Sequence, residues 1–221
     1  MEPPSVTEGD VLSAWWACLS LAHLPANSKR MVCLNNGYEF RPVLSDDLLR
    51  SGRPLLSNAV HLVTCLVRAS DVSEKSVSWL AWQVRRSIRA QRRREQVEAH
   101  YAFVRASRRQ NFFLFGDHTL FMVSCSNWKK GNLFETDFSA AVAEKRVSAS
   151  SRAGKPTYVQ HYRIGAQKKH GDSLLMIVGR DEWGNYWLDG CIDRKLWRKA
   201  EEMIAEWSVR GGNRKTGDLW S

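Results

Sequence analysis

Residues 120–139, LFMVSCSNWKKGNLFETDFS, decide the fold. Leu120 to Cys125 is a short apolar run of the kind that forms a buried strand. It ends in a polar corner, Ser126-Asn127-Trp128, followed by the basic loop Lys129-Lys130-Gly131. A second extended piece, Asn132 to Thr136, then leads into Asp137-Phe138-Ser139. Hydroxyl, amide and indole donors at a strand end can stabilise a developing oxyanion. The same three residues also fit a structural role, with Trp128 filling the core while Ser126 and Asn127 satisfy a turn.

Working outward, Thr7 and Asp10 form a capping-box-like start, and Val11, Leu12, Trp15, Trp16 and Leu19 recur at helical spacing, predicting a helix over Glu8 to Ala22. Met31 to Leu34 predicts a strand closed by turn chemistry at Asn35-Asn36-Gly37. Ser45 caps a small helix over Asp46 to Arg50, and Ala59 to Val67 reads as a buried strand. One long helix is expected from Ser73 to about Arg105, on the stripe Val77, Leu80, Ala81, Val84, Ile88. Glu144 to Pro156 is polar and the best mobile-loop candidate. Ser173 to Val178 and Tyr186 to Cys191 predict an antiparallel pair turned at Gly184-Asn185, and Asp193 caps a last helix closed by Gly211-Gly212. Helices and strands alternate without a repeat, so the class is α/β (α+β), a mixed β-sheet flanked by helices. A single domain is expected over residues 6–210, between a linker remnant at 1–5 and a polar tail at 211–221.

Composition narrows the function. The chain has 221 residues, 43% hydrophobic, enough for a real core. Ten Trp imply large aromatic plugs in a core or cleft wall, and five scattered Cys without a CxxC imply reduced thiols in the cytoplasm. No apolar run approaches the length of a membrane span, and no spacing suits a metal. Gly-rich phosphate loops and the GxSxG elbow are absent. The net charge of +10 points to nucleic acid, an anionic surface or a polyphosphate cofactor. Arg92-Arg93-Arg94 and their neighbours spread around a helix instead of forming one nucleic-acid stripe, so nucleic acid is disfavoured. Asp181-Glu182 reads as turn chemistry, and His61 as a satisfied core or interface histidine.

The order of these elements resembles the C-terminal half of a BAHD-type acyltransferase of the fungal branch, with a chloramphenicol-acetyltransferase-like fold. The resemblance is carried by Thr7-x-x-Asp10-Val11-Leu12-Ser13-Ala14-Trp15, Arg41-Pro42-Val43-Leu44, Ser57-Asn58-Ala59-Val60, Ser126-Asn127-Trp128 with Asp137-Phe138, and Gly184-Asn185-Tyr186-Trp187-Leu188. It implies acyl transfer from a CoA thioester, as a co-substrate and not a bound cofactor, to a hydroxyl or amine of a small secondary-metabolite-type acceptor. Asp137, Phe138, Asn58 and Arg41 are its structural markers. Lys129, Lys130, Lys168 and Lys169 are the candidates for CoA phosphates. The family's base is a His-x-x-x-Asp histidine, and none of the six His here has Asp four residues on. His118, beside Asp117, is the one histidine to test as a surrogate base. The resemblance therefore implies a half that is incomplete or inactive alone, with an apolar face left for self-association or a partner chain. The alternatives are a non-catalytic binding module on the same fold and a basic nucleic-acid-binding domain.

Overall fold

The computed structural model describes residues 5–48, 58–107, 115–141, 154–161 and 173–212. Five strands form one mixed sheet in the order β2-β1-β3-β4-β5. They are β1 (Met31–Glu39), β2 (Val60–Arg68), β3 (Phe121–Asn127), β4 (Ser173–Arg180) and β5 (Tyr186–Cys191). The central strands β1, β3 and β4 run parallel, and antiparallel hairpin partners flank them at both edges. The helices are α1 (Glu8–Leu21), α2 (Ser45–Leu48), α3 (Ala69–Glu74), α4 (Val77–Gln91), α5 (Arg94–Ala106) and α6 (Trp197–Gly212). The main core lies between one sheet face and α1 and α4, where Trp15, Trp16 and Leu19 meet Leu34, Val123, Leu175, Leu80 and Val84.

Three expectations about local structure are corrected. Asn35-Asn36-Gly37 is no turn, because β1 runs straight through it, paired on both sides. Tertiary partners override the turn propensity: the Asn35 side chain is buried and accepts from Thr64 Oγ1 at 2.9 Å, while Asn36 accepts from Ser13 Oγ at 3.2 Å. The long helix is three helices. Ser76 interrupts it as an N-cap whose hydroxyl accepts from Trp79 N at 3.1 Å, and the chain breaks again at Arg93, which is extended. Asn132 to Thr136 is not a strand but a 3-10 turn over Leu133–Glu135, entered through Asn132 in the left-handed region. Its Phe134 starts a second small core with Met176 and Val178.

The strand over Ala59 to Val67 exists as β2, but at a sheet edge and buried on one face alone. Gln91, the last residue of α4, closes the middle of that edge: its amide accepts from Thr64 N at 3.0 Å and donates to Thr64 O at 2.7 Å. The β4–β5 hairpin and its turn form as expected. Gly184 takes φ +88, and the Asp181 carboxylate accepts from the amides of Trp183 and Asn185 and from the Trp187 indole. Asp193 caps the chain before α6, accepting from Lys195 N at 2.9 Å. Most of Glu144 to Pro156 lies outside the described residues.

Candidate active site

The sheet is unevenly covered. Along β2, residues facing α4 are buried, whereas Val60, Leu62, Thr64 and Leu66 on the other face are exposed or half-exposed. Met122, Ser124 and Ser126 on β3 continue that second face, as does Leu174 on β4. The 3-10 turn carrying Phe134 covers Met176 and Val178 on this face, Cys33 and Asn35 are buried on it, and its exposed apolar part is the β2 edge at Val60 and Leu66. Ser126, Met176 and Asp189 occupy one rung across β3, β4 and β5, so their side chains share this face.

The Ser-Asn-Trp corner is built by the way β3 stops. Trp128 N donates to Ile177 O at 2.8 Å, one last rung to β4, and Gly131 N returns to Trp128 O at 2.7 Å. Asn127 Oδ1 accepts from Lys129 N at 3.0 Å, so the Asn127 carbonyl does satisfy the turn. Trp128 is not a core plug. It is 44% exposed, and its indole Nε1 donates to Ser126 Oγ at 2.9 Å. Its ring stands edge-on to His161, with centroids 6.0 Å apart. His161 Nδ1 in turn lies 3.5 Å from Asp189 Oδ2. Trp128 thus links Ser126, through its indole, to His161, which neighbours Asp189.

Lys129 is already engaged. Its ammonium donates to the Tyr186 hydroxyl at 3.2 Å and lies 3.5 Å from the Glu8 carboxylate. The tyrosine hydrogen bond, then the charge of Glu8, raises the Lys129 pKa. Glu8 is held below the usual carboxylate range, first by its own backbone amide and then by Tyr186 and Lys129. This end of α1 is fixed from beneath by the buried Asp10, whose Oδ2 accepts from Thr7 N at 2.7 Å and from Arg85 Nε at 2.8 Å. Lys130 is exposed and makes no ion pair or hydrogen bond among the described residues. Lys168 and Lys169 lie outside the described residues.

The remaining sequence candidates lie elsewhere. Asp137 accepts from Ser139 N at 2.8 Å, which lowers its pKa, and Phe138 N donates to Gly154 O at 2.8 Å. Both side chains are exposed, so this segment is organised by its backbone. Arg41 pairs with Glu39, and Asn58 is exposed just before β2. His118 is exposed before the start of β3, roughly 20 Å along the strand from the corner at its other end. The site does not include it. His61 is buried against Tyr38, Phe40 and His100, but its Nε2 has no hydrogen-bond partner. The arginines radiate: Arg85 onto Asp10, Arg86 over Trp82, Arg92 over Tyr38 and Arg94 onto Glu98. Reading the sequence missed His161 and Asp189, which stand 28 apart in number and meet only through the sheet. It also missed Tyr186 and Glu8 as partners of Lys129.

The described residues thus form an open α/β layer, a five-stranded mixed sheet with α1 and α4 on one face and a polar corner where β3 ends. No family model matches the chain. Over 206 residues it is 35% identical to the transcriptional regulator calD of Penicillium decumbens, covering 91% of this chain and 42% of that protein. It is 30% identical over 207 residues to the acetyltransferase adrJ of Penicillium roqueforti, covering 91% of this chain and 41% of adrJ. Among solved structures, TRI101 of F. sporotrichioides, complexed with coenzyme A and T-2, superposes with a TM-score of 0.67 at 17% identity, covering 93% of this chain and 44% of that one. The chain spans about two-fifths of the length of the curated relatives it matches. Its fold is that of one half of TRI101, and its sequence is similar to about two-fifths of the acetyltransferase adrJ.

Proposed function

We propose that this chain forms the scaffold half of an acyltransferase that moves an acyl group from a CoA thioester to a hydroxyl or amine of a small acceptor. The half in question is the C-terminal one. One observation carries the reading: where β3 ends, the half-exposed Trp128 indole donates to Ser126 Oγ, in a chain 30% identical to an acetyltransferase over 207 residues. The Ser126 oxygen accepts from the indole with one lone pair, which fixes the hydroxyl while its hydrogen can still donate to a developing oxyanion. Lys130 is the available cation for a CoA phosphate, since Lys129 is held by Glu8 and Tyr186. The exposed Val60 and Leu66 and their neighbours form the surface for a partner half or a second copy, which would bring the His-x-x-x-Asp base for transfer to an acceptor. Five unpaired cysteines fit a reducing compartment such as the cytoplasm.

The test is calorimetric titration with CoA and acetyl-CoA. Binding that weakens with salt and with Lys130→Ala is expected, and no binding at low salt would overturn the reading. A second reading, a regulatory module without catalysis, is favoured by the name of the relative calD. Nucleic-acid contact fits poorly with arginines already committed to Asp10, Trp82, Tyr38 and Glu98. A steep loss of duplex binding with salt would support it instead.

A further inference from the structure

We infer that the half-domain carries a proton acceptor of its own: His161, oriented by Asp189 beside Ser126 and Trp128, forms a hydrolytic site for activated acyl esters and thioesters. The inference relies on the acyltransferase reading for its thioester substrate, while the geometry stands without it. Three observations support it. First, Asp189 lies on the same rung and face as Ser126, so the carboxylate and the hydroxyl are two strands apart across the sheet. Second, His161 Nδ1 is 3.5 Å from the Asp189 carboxylate, a contact that needs only a small closure to become a hydrogen bond holding the ring. Third, Nε2 makes no hydrogen bond among the described residues, and the side chain is 29% exposed, so this nitrogen is open to a water or an acceptor. The Trp128 indole bridges the two, donating to Ser126 Oγ at 2.9 Å and packing against the imidazole with centroids 6.0 Å apart, and it is itself 44% exposed, so a carbonyl would approach along the indole.

The step balances with water alone. Nε2 takes a proton from water as the water oxygen bonds to the thioester carbonyl carbon. The carbonyl oxygen becomes an oxyanion that accepts from Ser126. The carbon–sulfur bond then breaks, the proton passes from Nε2 to the leaving thiolate, and a carboxylic acid and a free thiol are released. His161 is the catalytic base and Asp189 a positioning residue.

The test follows p-nitrophenyl acetate and radiolabelled acetyl-CoA hydrolysis by the full chain. His161→Gln should lower the rate by about 10²–10⁴-fold, whereas His118→Gln should leave it unchanged. His161→Ala should recover activity with added imidazole, a rescue that a structural histidine would not show. Asp189→Asn should lower kcat with KM held, and Asp189→Glu should restore part of the loss. Equal rates for His161→Gln and wild type, or equal losses for His161→Gln and His118→Gln, would overturn the proposal, as would a wild-type rate no faster than buffer. Thermal denaturation of each variant separates a folding defect from a chemical one, and a variant that melts early is replaced in the comparison by the imidazole rescue of His161→Ala. The acetate ester does not require CoA recognition, so its hydrolysis can persist even where CoA fails to bind, and the two readings fail separately.

Discussion

Replacing Gly190 by Ala will destabilise the fold far more than a single methyl suggests. A Cβ at Gly190 would lie 2.1 Å from Cη2, 2.5 Å from Cζ2 and 2.9 Å from Cζ3 of Trp16. The indole cannot yield cheaply. Its Nε1 donates to Ser173 Oγ at 2.7 Å, Ser173 and Ser20 hydroxyls lie 2.6 Å apart, and Ser20 donates to Trp16 O at 2.7 Å. Trp15 and Trp197 pack against the same ring. Overpacking the core costs about 1–3 kcal/mol, and the displaced indole leaves buried hydroxyls unpaired at about 1–2 kcal/mol more. The expected total is about 2–5 kcal/mol. At about 2–4 °C per kcal/mol for a chain of this length, Tm falls by about 4–20 °C. Trp16→Phe removes the atoms in conflict, so the double variant should be more stable than the sum of the two singles, a coupling read from a double-mutant cycle in urea. Gly37→Ala, whose Cβ would meet nothing closer than 3.8 Å, is the control. If Gly190→Ala melts within 2 °C of wild type, as Gly37→Ala is expected to, the packing of β5 on α1 described above is wrong.

Trp128→Ala should cost about 1–2 kcal/mol by denaturant titration, well under the 3–5 of a buried indole, because the ring is 44% exposed; a larger cost would place the indole in the core. Arg85→Met should cost about 3 kcal/mol or more, since it leaves the buried Asp10 carboxylate with Thr7 alone, and the paired change with Asp10→Leu should recover much of that loss in a urea melt. Stability should fall on acidification. Burial, and for His61 also the neighbouring His100, holds both imidazoles below their ordinary value of 6.5. The unfolded chain therefore binds protons that the folded chain refuses, so stability is full above pH 6.5 and lost as pH drops through the folded values. The slope is at most about 1.4 kcal/mol per pH unit for each histidine. His61→Leu should flatten it, and equal urea midpoints at pH 7.5 and 5.5 in wild type would remove the histidines from the account.

How much was legible depended on the range of the forces involved. α1, the β4–β5 hairpin and the Asp193 cap are written in neighbouring residues: a capping box at Thr7 and Asp10, a glycine at positive φ, a carboxylate two residues before the amide it receives. The errors arose where distant partners decide. Asn35-Asn36-Gly37 carries the local chemistry of a turn, yet Thr64 and Ser13, from β2 and α1, supply the side-chain bonds that let it run as strand. The helical stripe from Val77 onward is genuine, but periodicity is blind to a serine that serves as a cap, so Ser76 was read as helix interior.

The same distinction governs the catalytic question. A His-x-x-x-Asp motif is found by counting because both residues sit in one short segment, and counting shows that no histidine here has such an aspartate. Proton transfer requires no sequence spacing, only an imidazole steadied by a carboxylate and open at its other nitrogen. A sheet supplies that in a way no spacing records. Pairing Ser126 with Met176, and Met176 with Asp189, fixes a hydroxyl and a carboxylate on one face. The segment around Val159, packed on Phe134, Met176 and Val178, then lays His161 beside Asp189. The missing motif therefore limits what this half can do for an acceptor bound against another half, without removing the means to take a proton from water.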